Sequence, residues 1–231
     1  VLDAIQNGSG QTVGQNNRAL LAISPTYQLL MSIIQKKINI MPPSGSMAGI
    51  WSLTDETNGV WNAPANKTPM GVTDVTLRIS DSEQGDLNVD AVTGKSINAI
   101  RYFNGQGVLV WGARTLDGNS DDWRYINVRR TVTMIEQSIK VAMRAYVFAA
   151  NDSNTWASVQ SMVENFLTNV WREGALQGAK ASDAFSVAIG LGSTMTAQDI
   201  LDGYLRLSAK IAVSHPAEFI VLQIEQQQAT S

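Results

Sequence analysis

The chain contains one histidine, His215, and no cysteine. This inventory provides neither a histidine metal cluster nor a disulfide framework or thiolate metal site. His215 precedes Pro216 in a segment that has the pattern of a turn, so we interpret it as a surface or loop-packing residue. We therefore expect no metal and no cofactor.

Paired acids and glycine-rich stretches are the other features that could carry chemistry. Asp121 and Asp122 precede a predicted helix, so we interpret them as first-turn acids that the helix dipole favours. The stretches NGQG at 104–107 and GLG at 190–192 lack the lysine and the spacing of a phosphate-binding loop, and turns explain them better. No catalytic set of residues remains, so the sequence predicts a protein that is not an enzyme.

Composition narrows the class of protein further. The chain has 231 residues, of which 44% are apolar and 16% charged, as in globular proteins. A formal net charge of −3 gives no general basic footprint, so we expect no direct contact with nucleic acid. The apolar stretch 141–150 is short and contains Arg144, so we expect no membrane insertion. The chain begins at Val1, which we interpret as the start of a fragment.

Helical periodicity predicts several helices. Ser24 followed by Pro25 has the pattern of a helix start, and the MPPSG stretch at 41–45 should end that helix. A short helix should follow and end near Asn58. Two long amphipathic helices are then predicted at about 124–148 and 151–174. Their apolar stripes are Val128, Val132, Ile135, Ile139, Ala142 and Tyr146 in the first, and Trp156, Val159, Val163, Phe166, Leu167 and Val170 in the second.

Alternating or continuous apolar runs predict strands packed by these two helices. The resulting fold class is α+β, with one mixed sheet of roughly four or more strands. We expect core packing to account for Trp111, Trp156 and Trp171. The predicted strands are residues 75–79, 107–114, 185–189, 205–213 and 218–225.

The last predicted strand, 218–225, raises a question of pairing, because an apolar strand needs partners for its backbone. From the residues alone, the simpler interpretation is a hairpin with 205–213. The alternative is that the strand pairs with another chain.

Several long motifs resemble the C-terminal domain of contractile tail sheath proteins, in the same order and spacing. A segment at 42–66 resembles the part that precedes this domain in the same family, and GKSINAIR at 94–101 is most similar to sheaths of extracellular contractile injection systems such as antifeeding-prophage-like particles. Phage tails and contractile bacteriocins are the next most similar. The motifs are INAIRYFNGQGVLVWGARTL at 97–116, WRYINVRR at 123–130, WREGALQGAKASDAF at 171–185, TMTAQDILDGYL at 194–205 and HPAEFIVLQI at 215–224.

The resemblance implies a domain division and a function. Residues 1–95 would be the end of the middle sheath domain, 96–225 the C-terminal domain, and 226–231 a polar tail. The protein would polymerise helically around an inner tube and contract to drive that tube through a target envelope. Its partners would be copies of itself, the inner tube, and baseplate and terminator proteins, assembled in the cytoplasm into a phage-tail-like particle.

Terminal arms in this family add strands to the sheets of neighbouring subunits, which is β-augmentation. The resemblance thus implies an extended terminal arm for strand exchange. Where relatives often carry arginine before the PAEF motif, this chain has His215, so any contact of that arginine is not carried over. The implied intersubunit strand comprises Glu218, Phe219, Ile220, Val221, Leu222, Gln223, Ile224 and Glu225.

Three arginines on the polar faces of the long helices are candidates for docking to the tube or to adjacent subunits: Arg129, Arg130 and Arg172. The alternative interpretation of each is a solvated helix face.

Two other functions stay open at this point. A shell or tube protein that does not contract would share the exposed strand. A hydrolase or sugar-binding module would use Trp51, Trp61 and the adjacent acids Asp55 and Glu56.

Overall fold

The computed structural model describes residues 12–223, and the chain forms two compact units, Val1–Gly45 and Ser46–Ser231. In the first unit, helices α1 (Val13–Ile23) and α2 (Pro25–Ile38) form a hairpin. Ser24 caps α2 and Pro25 occupies its first turn, as predicted. The Tyr27 hydroxyl donates a 2.8 Å hydrogen bond to the Asn17 side chain, which fixes the two helices against each other.

Helix α3 (Ser44–Asn58) begins within the predicted breaker at 41–45 and, with 15 residues, is longer than the short helix expected, but it ends at Asn58 as predicted. Helix α4 (Asp81–Asn88) was not predicted, because its sequence is polar and shows no apolar stripe of helical spacing. Ser80 and Glu83 form a capping box at its start, a signal that is visible in the sequence. The polar character of α4 hid it, since only Gln84 is buried.

The predicted strand at 75–79 is wrong, because no strand is present there. Asp74 accepts a 2.8 Å hydrogen bond from the Val75 N–H and pairs with Arg78 at 2.8 Å, so local contacts hold this segment. Further along, the Ile79 carbonyl accepts from the buried Arg101 side chain. Alternation of apolar residues gave no information on these polar contacts.

Strands β1 (Ala99–Phe103) and β2 (Gly107–Trp111) form an antiparallel hairpin. The centre of β2 is buried on both faces, as predicted for 107–114, although the strand ends at Trp111. On its other edge, Val110 exchanges backbone hydrogen bonds of 2.8 and 2.9 Å with the segment 66–67. Both edges of β2 therefore have hydrogen-bond partners, β1 on one edge and the segment 66–67 on the other.

Helices α5 (Ile126–Met143) and α6 (Ser153–Arg172) are the two predicted long helices, and a 3₁₀ turn, Arg144–Tyr146, extends the first. Most residues of their predicted stripes form the core, in which Leu167 and Val159 are fully buried. Ala142, Tyr146 and Trp156 are only half-buried. Gly174, with φ of 91°, ends α6 in a Schellman motif: Ala175 N–H donates to Val170 and Gly174 N–H to Trp171.

Two details of this region correct the sequence interpretation. Helix α5 begins at Ile126, so Asp121 and Asp122 lie in the preceding turn, where Asp121 pairs with Arg124 at 3.0 Å. Trp111 is not a core residue but is 38% exposed, at the end of β2, where its ring centroid lies 4.8 Å from that of Phe103.

Strands β3 (Phe185–Ile189) and β4 (Leu207–Ile211) form a second antiparallel pair, flanked by the short helices α7 (Ala181–Ala184) and α8 (Ala197–Leu201). Both strands were predicted, and Thr196 forms a capping box with Asp199 at the start of α8. Helix α6 packs against β3.

The α+β class is confirmed, but the single mixed sheet is wrong. Within residues 12–223 the strands form two separate two-stranded antiparallel sheets. The expected hairpin between 205–213 and 218–225 is also wrong for the described part, because β4 pairs with β3 and 218–223 are not in a strand ladder. Strand periodicity identifies which face is buried but does not specify the partner.

Candidate assembly site

The chain leaves β4 along a fixed path on its own domain. Val213 forms an isolated bridge with Leu176, and the Ser214 N–H donates a 2.9 Å hydrogen bond to the Ala175 carbonyl. The Ser214 hydroxyl donates to the Gly174 carbonyl at 2.8 Å, in the turn that ends α6. The backbone is therefore held as far as Ser214 by the C-terminal end of α6.

Four residues later, Glu218 is bound by two side chains from distant parts of the sequence. Arg114 Nε lies 2.9 Å from Glu218 Oε1, and Arg114 Nη2 lies 2.7 Å from Oε2, which is bidentate geometry. The Tyr125 hydroxyl donates to Oε2 at 2.8 Å. The side chain of Arg114 is 7% exposed and that of Glu218 is 20% exposed, so water screens this pair far less than a surface pair. We call Arg114, Tyr125 and Glu218 the root cluster.

Local backbone contacts place Arg114 for this role. Its N–H donates to Asn98 Oδ1 and its carbonyl accepts from Asn98 Nδ2, both at 2.8 Å. An isolated bridge joins Arg114 to Tyr125, the residue before α5. The guanidinium is therefore presented from a backbone fixed on two sides.

Burial, followed by the hydrogen bond to Glu218, raises the pKa of the Tyr125 hydroxyl above its usual value of 10.0. The neutral phenol is the form that donates to the carboxylate, so the contact with Glu218 favours keeping the proton. The root cluster thus brings two hydrogen-bond donors, the Arg114 guanidinium and the Tyr125 hydroxyl, to the Glu218 carboxyl group.

Beyond Glu218 the described residues form neither helix nor strand, and they are exposed. Phe219 is 67% exposed and Val221 94%, and Ile220 and Leu222 are exposed as well. Gln223 is exposed too, while Ile224 and Glu225 lie outside the described residues. We call Phe219–Leu222 the apolar arm. Four consecutive apolar side chains facing solvent are unusual for a folded chain and indicate a surface that binds something.

The sheet formed by β3 and β4 offers an edge that an extended segment could join. β3 contacts both α6 and α7, whereas the contacts of β4 are mainly with β3. Ser208, Ala209 and Lys210 in the centre of β4 are exposed. Among the described residues, β3 is the only ladder partner of β4, so its outer edge carries backbone groups open to pairing.

The three candidate docking arginines lie in different environments. Arg129 is exposed, with its guanidinium carbon 4.9 Å from the centre of the Trp123 ring, and Arg172 is exposed at the end of α6. Arg130 instead forms a bidentate pair with Asp55, with distances of 2.8 and 2.6 Å. The docking role of Arg130 stays a prediction. Within its own domain the guanidinium already pairs with Asp55, and this hydrogen bond raises the pKa of Arg130.

The acids considered for hydrolysis do not converge on a site. Asp55 is held by Arg130, whose guanidinium lies 5.0 Å from the Trp51 ring centre, and Glu56 is exposed. Across residues 12–223 no group of three or more metal-binding side chains occurs. No helix in the described part is both long and apolar enough to cross a membrane.

Sequence reasoning identified Glu218 only as part of a strand and missed Arg114 and Tyr125. A usable signal existed, because Arg114 closes the apolar stretch GVLVWGAR, and a charge following a buried strand needs a partner. The identity of that partner, 104 residues away, could not be read from the pattern.

Comparison with known families gives two matches that together span most of the chain. The phage tail sheath central domain matches residues 5–116, and the phage tail sheath C-terminal domain matches residues 119–227. The tail sheath protein of Burkholderia phage BcepMu is 28% identical over 189 residues, covering 80% of this chain and 38% of that protein.

Solved structures of contractile assemblies are more similar. A chain in the anti-feeding prophage baseplate is 43% identical with a TM-score of 0.75. A chain in the contracted sheath complex of the extracellular contractile injection system PVC is 42% identical with a TM-score of 0.76. Each match covers 81% of this chain and 51% of the other, so the chain spans about half the length of these relatives. With the central and C-terminal domains matched in order, this chain belongs to the phage tail sheath family.

Proposed function

We propose that the protein is a structural subunit of a contractile sheath, which assembles helically around an inner tube and shortens to drive the tube through an envelope. The observation that carries the proposal is the apolar arm, exposed in a single chain yet starting from a fixed root. Such a segment has no use in an isolated domain but would connect subunits in an array. Similarity to a sheath in its contracted state supports the contractile step.

The linkage we propose is strand addition by the arm to the sheet of a neighbour. The intersubunit strand runs from Glu218 through Glu225, and its acceptor is the outer edge of β4, for which β3 is the only ladder partner among the described residues. Backbone hydrogen bonds would hold the strand, while alternate side chains of the arm would meet opposite faces of the acceptor sheet. The arm of one subunit would contact a different surface on the next subunit, so the interface would be heterologous. Heterologous interfaces that do not close into a ring generate helical arrays.

Arg129, Arg130 and Arg172 are the candidate docking residues for the inner tube or for adjacent subunits. Arg129 and Arg172 are exposed on helices that otherwise build the core, whereas Arg130 also pairs with Asp55. An exposed ion pair contributes only about 0–1 kcal/mol, but an array repeats each contact in every subunit. Assembly takes place in the cytoplasm, with baseplate and terminator proteins at the ends. The stroke draws on energy stored at assembly and needs no enzymatic activity of this chain.

Electron microscopy of particles containing the full-length protein tests this function. We expect tubular sheaths in a long and a short state, and loss of both states when the chain is truncated after Glu218. That truncation retains the root cluster, so the isolated domain should still unfold cooperatively. Tubes that never shorten would instead support a shell protein. Contractile sheaths built from the truncated chain would show that the arm is not needed to link subunits.

A further inference from the structure

The path of the chain between Ser214 and Phe219 has a feature that the proposed function does not require. The chain is fixed at Ser214 by backbone and hydroxyl hydrogen bonds, and fixed again at Glu218 by the root cluster. Between the two anchors, His215 and Ala217 are exposed, although His215 Nδ1 lies 3.0 Å from the Val213 carbonyl oxygen and its ring centroid lies 6.1 Å from that of Tyr125. The second anchor therefore lies directly before the exposed apolar residues Phe219–Leu222.

We propose that the root cluster is a length-setting clamp: the ion pair of Arg114 with Glu218, supported by Tyr125, fixes the point from which the intersubunit arm starts. Glu218 is a positioning residue, acting on a neighbour only through the arm that follows it. This inference rests on the proposed sheath function for its consequence, but the clamp itself belongs to a single subunit.

Release of the clamp would lengthen the tether by the segment 215–218. Four residues of extended chain add about 13 Å of slack, at roughly 3.3 Å per residue. A longer tether lowers the effective concentration of the arm at its acceptor and permits neighbours to separate further. With the clamp intact, movement of a domain displaces the start of its arm by the same amount. Subunits that are linked by such arms would therefore move together when the lattice rearranges.

The side chains of the root cluster are suited to an anchor that stays formed while the contacts between subunits change. Guanidinium and carboxylate form two parallel hydrogen bonds, which fix direction as well as distance. Arg114 is mostly buried, so separation from Glu218 would leave a charge with little access to water. The Tyr125 hydroxyl occupies a further lone pair of Oε2 and holds the carboxylate orientation.

Two matched insertions test the length-setting claim in assembled particles. A Gly-Ser-Gly-Ser insertion between His215 and Pro216 lies before the clamp, and the same insertion between Glu218 and Phe219 lies after it. We expect near-normal sheath yield from the first, because the clamp restores the starting point, and a several-fold lower yield from the second. Equal effects of the two insertions, whether both harmful or both harmless, would overturn the proposal.

A measurement on the unassembled full chain keeps the test independent of sheath formation. The chain has no cysteine, so spin labels can be placed uniquely through Ile220→Cys and Thr133→Cys, both at exposed positions. We expect a narrow distance distribution that broadens clearly in the Glu218→Gln variant and in the Arg114→Met/Glu218→Met double variant, which leaves no buried charge unpaired. Unchanged distributions in both variants would overturn the clamp. If the wild-type protein builds no contractile sheath, the proposed function fails, and these distributions still decide the clamp.

Discussion

Arg114 and Glu218 are 104 positions apart, and their side chains form a bidentate ion pair that joins the end of the β1–β2 hairpin to the root of the C-terminal segment. The segment from Val213 to Glu218 is thereby held on the domain that contains Arg114, and the apolar residues after it are exposed. The pair divides the terminus into an anchored part and an arm, which is the arrangement that strand exchange between subunits requires.

The first prediction concerns the protonation of Tyr125. Its raised pKa means that the folded state holds the phenolic proton more tightly than the unfolded state. The resulting stabilisation is present below pH 10 and is lost as the pH rises above 10 toward the folded-state pKa. Glu218→Gln should lower the Tyr125 pKa, as measured by NMR on protein with labelled tyrosine rings. The Tyr125→Phe variant assigns the resonance, and an unchanged pKa in Glu218→Gln would show that the carboxylate does not act on this hydroxyl.

The second prediction separates Arg130 from Arg129. Arg130→Met should lower the free energy of unfolding by about 1–2 kcal/mol, since the lost hydrogen bonds to Asp55 are charge-assisted but partly exposed to solvent. Arg129→Met, on the exposed side of the same helix, is the matched control and should change stability by at most about 0.5–1 kcal/mol, since it loses only the contact with the Trp123 ring. Chemical denaturation of both variants measures the difference. Equal stabilities would mean that the pair with Asp55 contributes nothing.

The third prediction concerns the core between α5 and α6. Leu167 is fully buried, so Leu167→Ala should cost about 2–5 kcal/mol through lost burial and the cavity left behind. The same change at Leu201, which is 80% exposed, should stay within about 0.5 kcal/mol. Thermal and denaturant melts compare the two. A small loss at Leu167 would require the core to collapse around the shorter side chain.

The fourth prediction uses two glycines with opposite backbone demands. Gly174 has φ of 91° at the end of α6, so Gly174→Ala should destabilise the domain by about 1 kcal/mol. Gly49 lies inside α3 with no atom within 4 Å of an added Cβ, so Gly49→Ala should stabilise by roughly 0.5–1 kcal/mol. Opposite signs in the two melts are the expected result, and a stabilising Gly174→Ala would exclude the left-handed turn.

Local signals in the sequence predicted most helices and their ends. The stripe that includes Leu167 and the glycine stop at Gly174 lie within one segment, so periodicity and capping rules suffice for them. Helix α4 (Asp81–Asn88) was not predicted, because it is polar and its start is defined by the Ser80 cap rather than by an apolar face.

Long-range partners were the part that sequence could not supply. The strand at 205–213 was correctly placed, but pairing with β3 instead of 218–225 depends on tertiary contacts. Likewise, the charge of Arg114 was visible, while its partner Glu218 was not. The resemblance to sheath proteins indicated an arm, and the contacts of the root cluster indicate where that arm begins.

Disulfide trapping in assembled particles tests the central claim, that the arm links one subunit to the next, most directly. Because the chain lacks cysteine, Val221→Cys on the arm can be combined with Lys210→Cys or Ser208→Cys on β4 to sample the pairing register. Under non-reducing electrophoresis we expect a ladder of covalent multimers from at least one combination, and at most dimers from each single-cysteine control. Contractile particles whose double-cysteine chains form only internal disulfides would contradict the account, because the arm would then return to its own sheet.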